Sequence, residues 1–460
     1  MTDANEVQST DSLCPVCLRR VPARREMDGA DGYIVKECPE HGEFRTRFWH
    51  GPPGLGGWSR PKTPGAPPPA LTETRLGCPF DCGLCPQHGQ HTCTALFEIT
   101  ARCNLACPVC FASAGHNPPA DPPLADLAAL FARVFAAAGP VNVQLSGGEP
   151  TVRADLPDVV AACRAAGFAF VQLNTNGLAL AHDAALAQAL AKAGLSSVFL
   201  QFDGTTDDVY RTLRGVSLFA VKCRAIDHCV AAGLGVVLVP TVAPGVNDGA
   251  LGDIIRFARE RAPGVRGVHF QPASSFGRYP WGDGAADRVT LPELMTGLEA
   301  QTGGMIRAAD FHPPGCEHSL CSFSQPYLLD GEFGLRPAPN TGGACCTPPS
   351  APPRPIAADE GARRAKAFVA RQWAAPASPD ADALARPMDD FDRFLAEAAT
   401  SKRFTISAMA FQDAWTLDLE RTRGCCIHVV TPDARLVPFC LYNLTSANGR
   451  ALYRQEGPCA

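Results

Sequence analysis

Between residues 95 and 273, short apolar runs alternate six times with helix-length stretches. The runs are ALFEIT (95–100), VNVQLSG (141–147), FVQLNTN (170–176), SVFLQFDG (197–204), GVVLVPTV (235–242) and GVHFQPA (267–273). They read as apolar throughout, the pattern of strands covered on both faces. Helix candidates lie near 122–137, 155–166, 183–193, 219–232 and 250–261, with a sixth near 291–303. Strands and helices in this alternation form a parallel α/β sheet. Six βα units suggest an open or partial barrel, in which functional residues sit at the C-terminal ends of the strands. Those ends here carry SGGEP, NTNG, QFDG and FQPAS.

The chain has 460 residues, long for one compact domain, so smaller units flank the barrel. Residues 1–50 form a cysteine-bearing unit. Residues 51–94 hold a Pro/Gly-rich linker followed by a four-cysteine segment. The barrel takes 95–304, and 305–460 lose the alternation and gather further cysteines. A net charge of −5 without any basic run speaks against nucleic acid. The N-terminus lacks the pattern of a signal peptide. No apolar stretch is long enough to span a bilayer, which leaves peripheral contact as the one form of membrane association. A cytoplasmic location is the expectation. There 21 cysteines at short regular spacings mean metal ligands rather than disulfides. Cys163, Cys223, Cys229 and Cys459 stand alone and read as isolated thiols.

The spacing C-x3-C-x2-C occurs twice, as Cys78, Cys82, Cys85 and as Cys103, Cys107, Cys110. A four-iron cluster needs one ligand per iron. The first triplet has Cys93 close behind it, enough for a coordinatively closed auxiliary site. The second has no nearby fourth cysteine and follows directly on the first barrel strand. Three ligands leave one iron open to a ligand that is not protein. At the N-terminus, Cys14, Cys17, Cys38 and His41 form C-x2-C and C-x2-H knuckles suited to one tetrahedral zinc or iron ion. Cys316, Cys321, Cys345, Cys346, Cys425, Cys426 and Cys440 are candidates for a further cluster, and their long spacings leave the pairing open. The string DFHPPG (310–315) matches a cobalamin-binding signature, but no βα unit surrounds it, so the match reads as coincidence.

The run CNLACPVC after one strand and GGEP after the next resembles the radical S-adenosylmethionine (SAM) superfamily. The resemblance implies a (βα)6 partial TIM barrel and a four-iron cluster on Cys103, Cys107 and Cys110. The open iron takes the amino and carboxylate groups of SAM. Reductive cleavage then yields a 5'-deoxyadenosyl radical that abstracts hydrogen. It further implies SAM contacts from Gly147, Gly148 and Glu149, from Asn174 and Asn176, and from Gln201 and Asp203. Val109 stands where the superfamily usually places an aromatic beside the adenine. An external reductant such as flavodoxin or ferredoxin is implied as well.

The order CPVC…KECPEHG, GCPFDCGLCPQHGQHTC, EITARCNLACPVCFA, LQFDGTTDDVYRTLRG, FQPASSFGR and GCCIHVV is similar to a subgroup that includes the archaeal tetraether lipid synthases. Some of its members are labelled pterin methyltransferases. The first expectation is therefore carbon–carbon coupling on a lipid. The second is methyl transfer to a pterin-like heterocycle. A non-catalytic iron–sulfur electron carrier is the alternative of another class, and it would need neither an open iron nor the Glu149 motif. A lipid enzyme would need a long apolar tunnel, a pterin enzyme a polar pocket with amide or carboxylate partners.

Overall fold

The computed structural model describes residues 8–60, 62–65, 73–83, 86–115, 118–281, 288–331, 334–338, 355–375 and 403–454. Cys85, Cys345, Cys346 and Cys459 lie outside the described residues.

The N-terminal unit is an antiparallel meander of β1 (Gln8–Leu13), β2 (Arg20–Asp28), β3 (Asp31–Cys38) and β4 (Gly42–His50). A two-residue strand β5 (Lys62–Thr63) follows.

The next stretch builds the barrel. In chain order it contains β6 (Thr94–Thr100), α1 (Leu124–Ala138), β7 (Asn142–Gly147), α2 (Leu156–Ala165), β8 (Val171–Thr175), α3 (Leu178–His182), α4 (Ala184–Lys192) and β9 (Ser197–Gln201). It continues with α5 (Asp207–Arg214), α6 (Phe219–Ala231), β10 (Gly235–Val239), β11 (Thr241–Val242), α7 (Leu251–Glu260), β12 (Val265–Pro272) and α8 (Leu291–Gln301). Strands β6, β7, β8, β9, β10 and β12 lie side by side in that order, all parallel. This is the expected α/β partial barrel.

The C-terminal part adds β13 (Ser322–Asp330), β14 (Gly334–Pro337), β15 (Ile356–Ala357), α9 (Ala358–Trp373), β16 (Arg403–Met409), α10 (Leu419–Arg423), β17 (Ile427–Val430), β18 (Leu436–Pro438) and α11 (Phe439–Tyr442). Apart from β15, which pairs with β5, its strands join the same sheet. β16 pairs parallel with β12, and β17 pairs parallel with β6 at the opposite edge. Antiparallel β13 and β18 lie beyond them. Helix α9 crosses the N-terminal ends of the strands. Asn142 Nδ2 donates to the Lys366 carbonyl at 3.2 Å, and Arg266 Nε donates to the Gln372 carbonyl at 3.2 Å. A Cβ on Gly235 would lie 2.4 Å from the Trp373 carbonyl oxygen. The helix forms the floor of the barrel.

The strands are less uniformly apolar than they read. Val143, Leu145, Val171, Leu173, Val198, Leu200, Val268 and Phe270 belong to the core cluster beneath the helices, where Phe97 meets Phe131 at 4.8 Å between ring centres. The residues between them, Gln144, Gln172, Asn174, Phe199, Gln201, His269 and Gln271, line a cavity inside the barrel. Each fully buried Val, Leu or Phe contributes ~1.5–3 kcal/mol. The outer layer can therefore hold the barrel while the interior stays hollow.

Candidate functional site

The second cysteine triplet lies on the loop leaving β6. Cys107 is buried, and Cys103 and Cys110 are half-buried. All three line the cavity. Burial raises the Cys103 thiol to about 11 and raises Cys107 as well, so a metal is what would keep these groups as thiolates.

Two arginines that sequence reasoning did not single out fasten this loop. Arg278, beyond β12, donates from Nε to the Cys107 carbonyl (3.1 Å) and from Nη1 to the Ala114 carbonyl (2.8 Å). Its backbone exchanges two 3.0 Å hydrogen bonds with Cys110. Arg214, the last residue of α5, donates from Nη1 to the Val109 carbonyl at 3.0 Å. It also donates through Nε and Nη2 to Asp203, both at 2.7 Å, and through Nη2 to Thr241 Oγ1 at 2.9 Å. Arg278 closes the quoted string SSFGR, and Arg214 is the last residue but one of YRTLRG. Their position at the ends of those strings, beside a metal loop, was the signal available.

Asp203 departs from its expected place. It is fully buried, held by Arg214 and by the Thr241 backbone N–H at 3.1 Å, and it does not line the cavity. The turn after β9 points it at the arginine, so it positions the Cys103–Cys110 loop through Arg214. Gln201 does line the cavity, and its Oε1 accepts from Lys222 Nζ at 3.1 Å. The same ammonium donates to the Asn176 carbonyl at 2.5 Å.

Gly147 and Gly148 owe their presence to a close approach within the chain. Their N-terminal neighbours continue β7 against the end of β6. Gly148 N–H bonds the Thr100 carbonyl and Glu149 N–H bonds the Arg102 carbonyl, both at 2.8 Å. A Cβ on Gly147 would lie 2.1 Å from the Thr100 carbonyl oxygen, and one on Gly148 would lie 2.1 Å from that of Arg102. Glu149 is buried. Its Oε1 accepts from Thr151 N (3.1 Å), Thr151 Oγ1 (2.6 Å) and Thr175 Oγ1 (2.6 Å), and its Oε2 from Asn176 N (2.6 Å). Oε2 accepts only one of these bonds, so a ligand ammonium would meet a carboxylate already fixed in place and with acceptor capacity left on Oε2. Asn176 Nδ2 donates to Asn104 Oδ1 at 2.8 Å, tying β8 to the cysteine loop. Asn174 Oδ1 is buried without a partner among the described residues. Three thiols and an anchored carboxylate lining one cavity suit a cluster with an open iron and a polar ligand on it.

The cavity encloses about 1290 Å³. Single-ligand pockets span roughly 300–1,000 Å³, so this one has room for two ligands. It runs from the triplet at the C-terminal ends of the strands to Cys93 and Cys426 at their N-terminal ends.

Cys93 does not join Cys78 and Cys82. Its sulfur groups with those of Cys316 and Cys426, all within 4.8 Å, and Cys93 Sγ is 2.7 Å from Cys316 Sγ. The cause is strand register. β17 aligns Ile427 with Thr94, so the residues just before, Cys426 and Cys93, fall side by side, joined by a 2.8 Å backbone bond. Burial lifts the Cys93 thiol well above its usual range. Cys78 and Cys82 instead pack in the cluster that joins Leu13 and Leu18 to Leu417 and Leu441. Burial raises the Cys425 and Cys440 thiols, and neighbouring cysteines add to it, Cys440 and Cys321 for Cys425 and Cys321 for Cys440.

At the N-terminus, Cys14, Cys17, Cys38 and His41 come together as expected. His41 Nδ1 is 3.7 Å from Cys14 Sγ and 3.4 Å from Cys38 Sγ. Burial opposes the Cys38 thiolate, but the bonds from His41 and from the backbone of Glu40 and His41 outweigh it and bring its pKa to about 6. Cys163 and Cys229 are buried helix residues in the core cluster, and Cys223 packs against it.

Burial also keeps four histidines neutral, His88 and His269 at about 4, His318 at about 3 and His428 well below its usual value. An unfolded imidazole titrates near 6.5. The unfolded chain therefore binds more protons between pH 6.5 and about 4, and stability present above that window is lost as the pH falls through it. Each such histidine contributes a slope of about 1.4 kcal/mol per pH unit. His269→Gln should make the denaturant-measured stability curve shallower by that amount between pH 6 and 4. An unaltered slope would mean that His269 is protonated in the fold.

Residues 97–258 match the radical SAM superfamily, and residues 7–50 match the HMPTM N-terminal zinc ribbon domain. The 7,8-dihydro-6-hydroxymethylpterin dimethyltransferase of Methanocaldococcus jannaschii is 33% identical over 98% of this chain and 94% of its own length. The GTP 3',8-cyclase of Moorella thermoacetica is 34% identical over 52% of this chain and 78% of its own length. Among solved structures, Streptococcus suis SuiB bound to the precursor peptide SuiA covers 47% of this chain and 46% of its own, at 17% identity and a TM-score of 0.39. No helix among the described residues is long and apolar enough to cross a membrane. A parallel barrel with three free thiols at its mouth, matched along nearly its whole length by such a relative, leaves one assignment: the chain belongs to the radical SAM superfamily and takes its four-iron cluster and SAM, beside auxiliary metal sites.

Proposed function

We propose that this enzyme abstracts hydrogen from a pterin-like heterocycle in the course of methyl transfer, the methyl group coming from a second SAM or a folate-type carrier. The observation that carries the reading is a cavity that joins the Cys103, Cys107 and Cys110 thiols to a barrel interior bearing Gln144, Gln172, Asn174 and His269, with room for a second ligand. The near-full-length similarity to a pterin dimethyltransferase supports the substrate class. The lipid-coupling expectation has less support, because that near-full-length relative acts on a pterin.

A four-iron cluster held here, once reduced, would supply the electron for cleaving SAM and so the hydrogen-abstracting chemistry of the reaction. Cys103, Cys107 and Cys110 would hold the cluster. Arg214 and Arg278 keep their loop in register through the Val109, Cys107 and Ala114 carbonyls. Glu149, with Asn176, presents an oriented carboxylate edge to the SAM amino group.

The test is anaerobic reconstitution with iron and sulfide, reduction, and assay of 5'-deoxyadenosine with SAM, with and without 6-hydroxymethyl-7,8-dihydropterin. Wild type should form 5'-deoxyadenosine, more of it with the pterin. The variant with Cys103, Cys107 and Cys110 changed to alanine should form none while keeping iron at its other sites. Product from the triple variant would sink the assignment of the triplet. Stimulation by a lipid extract and not by the pterin would restore the coupling reading.

A further inference from the structure

The interior face of this barrel is chemically unusual. Barrel interiors are ordinarily filled by layers of branched apolar side chains. Here the inward positions include amides, a hydroxyl and an imidazole beside Leu96, Phe199 and Val239, and the space between them is open. Sheet register explains how they meet. Gln144 of β7 lies opposite Gln172 of β8, Gln172 lies opposite Ser197 of β9, and His269 of β12 lies opposite Ser407 of β16.

These side chains form a directed relay. Asn174 Nδ2 donates to Gln144 Oε1 at 3.4 Å, Gln144 Nε2 to Gln172 Oε1 at 2.9 Å, and Gln172 Nε2 to Ser197 Oγ at 2.8 Å. The relay orients each amide, yet it leaves Asn174 Oδ1 buried with no partner among the described residues. A buried acceptor in that state calls for a donor from a ligand. Across the cavity, His269 Nδ1 shares a 2.8 Å bond with Ser407 Oγ, which leaves Nε2 for the cavity side. Burial keeps that ring neutral, with a pKa of about 4, so it serves as one donor and one acceptor and carries no charge. Two aromatic rings flank the group. Phe199 lies 5.3 Å from His269 and 6.4 Å from Trp373, measured between ring centres.

We infer that Gln144, Gln172, Asn174 and His269 form a substrate subsite that reads the lactam edge, an N–H beside a C=O, of a neutral planar nitrogen heterocycle. This rests on the heterocycle reading above and adds to it the residues and the chemical feature recognised. An alkyl chain could satisfy none of these groups. A cationic ring would find no carboxylate in the relay. A lactam edge offers a donor for Asn174 Oδ1 and an acceptor for an amide N–H, while its ring faces meet Phe199 and Trp373.

The experiment is equilibrium binding to the anaerobically reconstituted full chain, with 6-hydroxymethyl-7,8-dihydropterin, guanosine and uridine as probes. All three carry a lactam edge. Gln144→Met and Gln172→Met keep side-chain length and remove the amide, and retained cluster absorbance reports that each variant is folded. His269→Phe is a third variant, should either methionine variant fail to fold. The expected result is that wild type binds the dihydropterin and that each variant binds it at least tenfold more weakly. Equal affinity in wild type and variants would overturn the subsite while leaving the pterin reading intact. Binding of guanosine or uridine but not the pterin, lost in the variants, would uphold the subsite and sink the pterin reading. No binding of any of the three would overturn the subsite.

Discussion

Arg214→Met is expected to cost about 3–5 kcal/mol of stability, the range for removing one partner of a buried ion pair. Whole domains are stable by only about 5–15 kcal/mol, so the variant should sit near the edge of folding. The reason is the company that Arg214 keeps. Its guanidinium is buried, and Asp203, its bidentate partner, is fully buried. Without the arginine, Asp203 keeps only the Thr241 N–H and becomes an uncompensated charge. The Val109 carbonyl also loses its donor, and it lies between Cys107 and Cys110. A double variant, Asp203→Leu with Arg214→Met, separates the two effects. It removes both charges and should recover most of the stability. It should still hold less iron at the triplet, because nothing grips the Val109 carbonyl. Thermal unfolding reads the first effect, and the electron paramagnetic resonance signal of the reduced cluster reads the second. A single variant with unchanged unfolding and a full cluster signal would show that the pair is dispensable.

Gly147→Ala should be nearly as damaging. The added Cβ would lie 2.1 Å from the Thr100 carbonyl oxygen, which is backbone and cannot swing aside. The glycine also has φ +131, a conformation that side-chain-bearing residues rarely adopt. Overpacking and backbone strain at roughly 1–3 kcal/mol each give about 2–6 kcal/mol. The displaced segment is the junction of β6 and β7, so cluster content should fall with stability. Gly139→Ala is the control. It has positive φ (+69) but nothing within 4 Å of the added methyl, so it should cost only ~1–2 kcal/mol. Similar losses for both glycines would mean that backbone conformation alone is responsible and that the close approach of β6 and β7 is not.

The parts of this molecule that were legible in the sequence are those written locally. The six barrel strands fall within a few residues of the apolar runs, and Cys14, Cys17, Cys38 and His41 meet because two short knuckles sit on one small meander. What escaped was set by strand pairing over long distances. No spacing rule ties Cys93 to Cys316 and Cys426, since the pairing of β6 with β17 does that across the whole barrel. Helix α5 was missed because DDVYRTLR is dominated by charge, and Arg214 went with it. Asp203 was read as a ligand contact because QFDG ends a strand, and only the turn geometry shows it facing Arg214. The inward amides were on view in VNVQLSG and FVQLNTN. A period of two was hidden there by the apolar residues around them.

The two parallel strands supplied by the C-terminal part have a consequence for how the chain can be divided. The segment matching the superfamily, 97–258, ends before β12. In the whole protein β17 covers the free side of β6 and β16 covers that of β12. A fragment cut to the matching segment would expose a row of unbonded N–H and C=O groups along β6 and another along β10. Exposed apolar edges of that kind recruit strands from other molecules. Such a fragment would aggregate before its cysteines met iron, and the last fifty described residues are best regarded as the seam that closes the sheet.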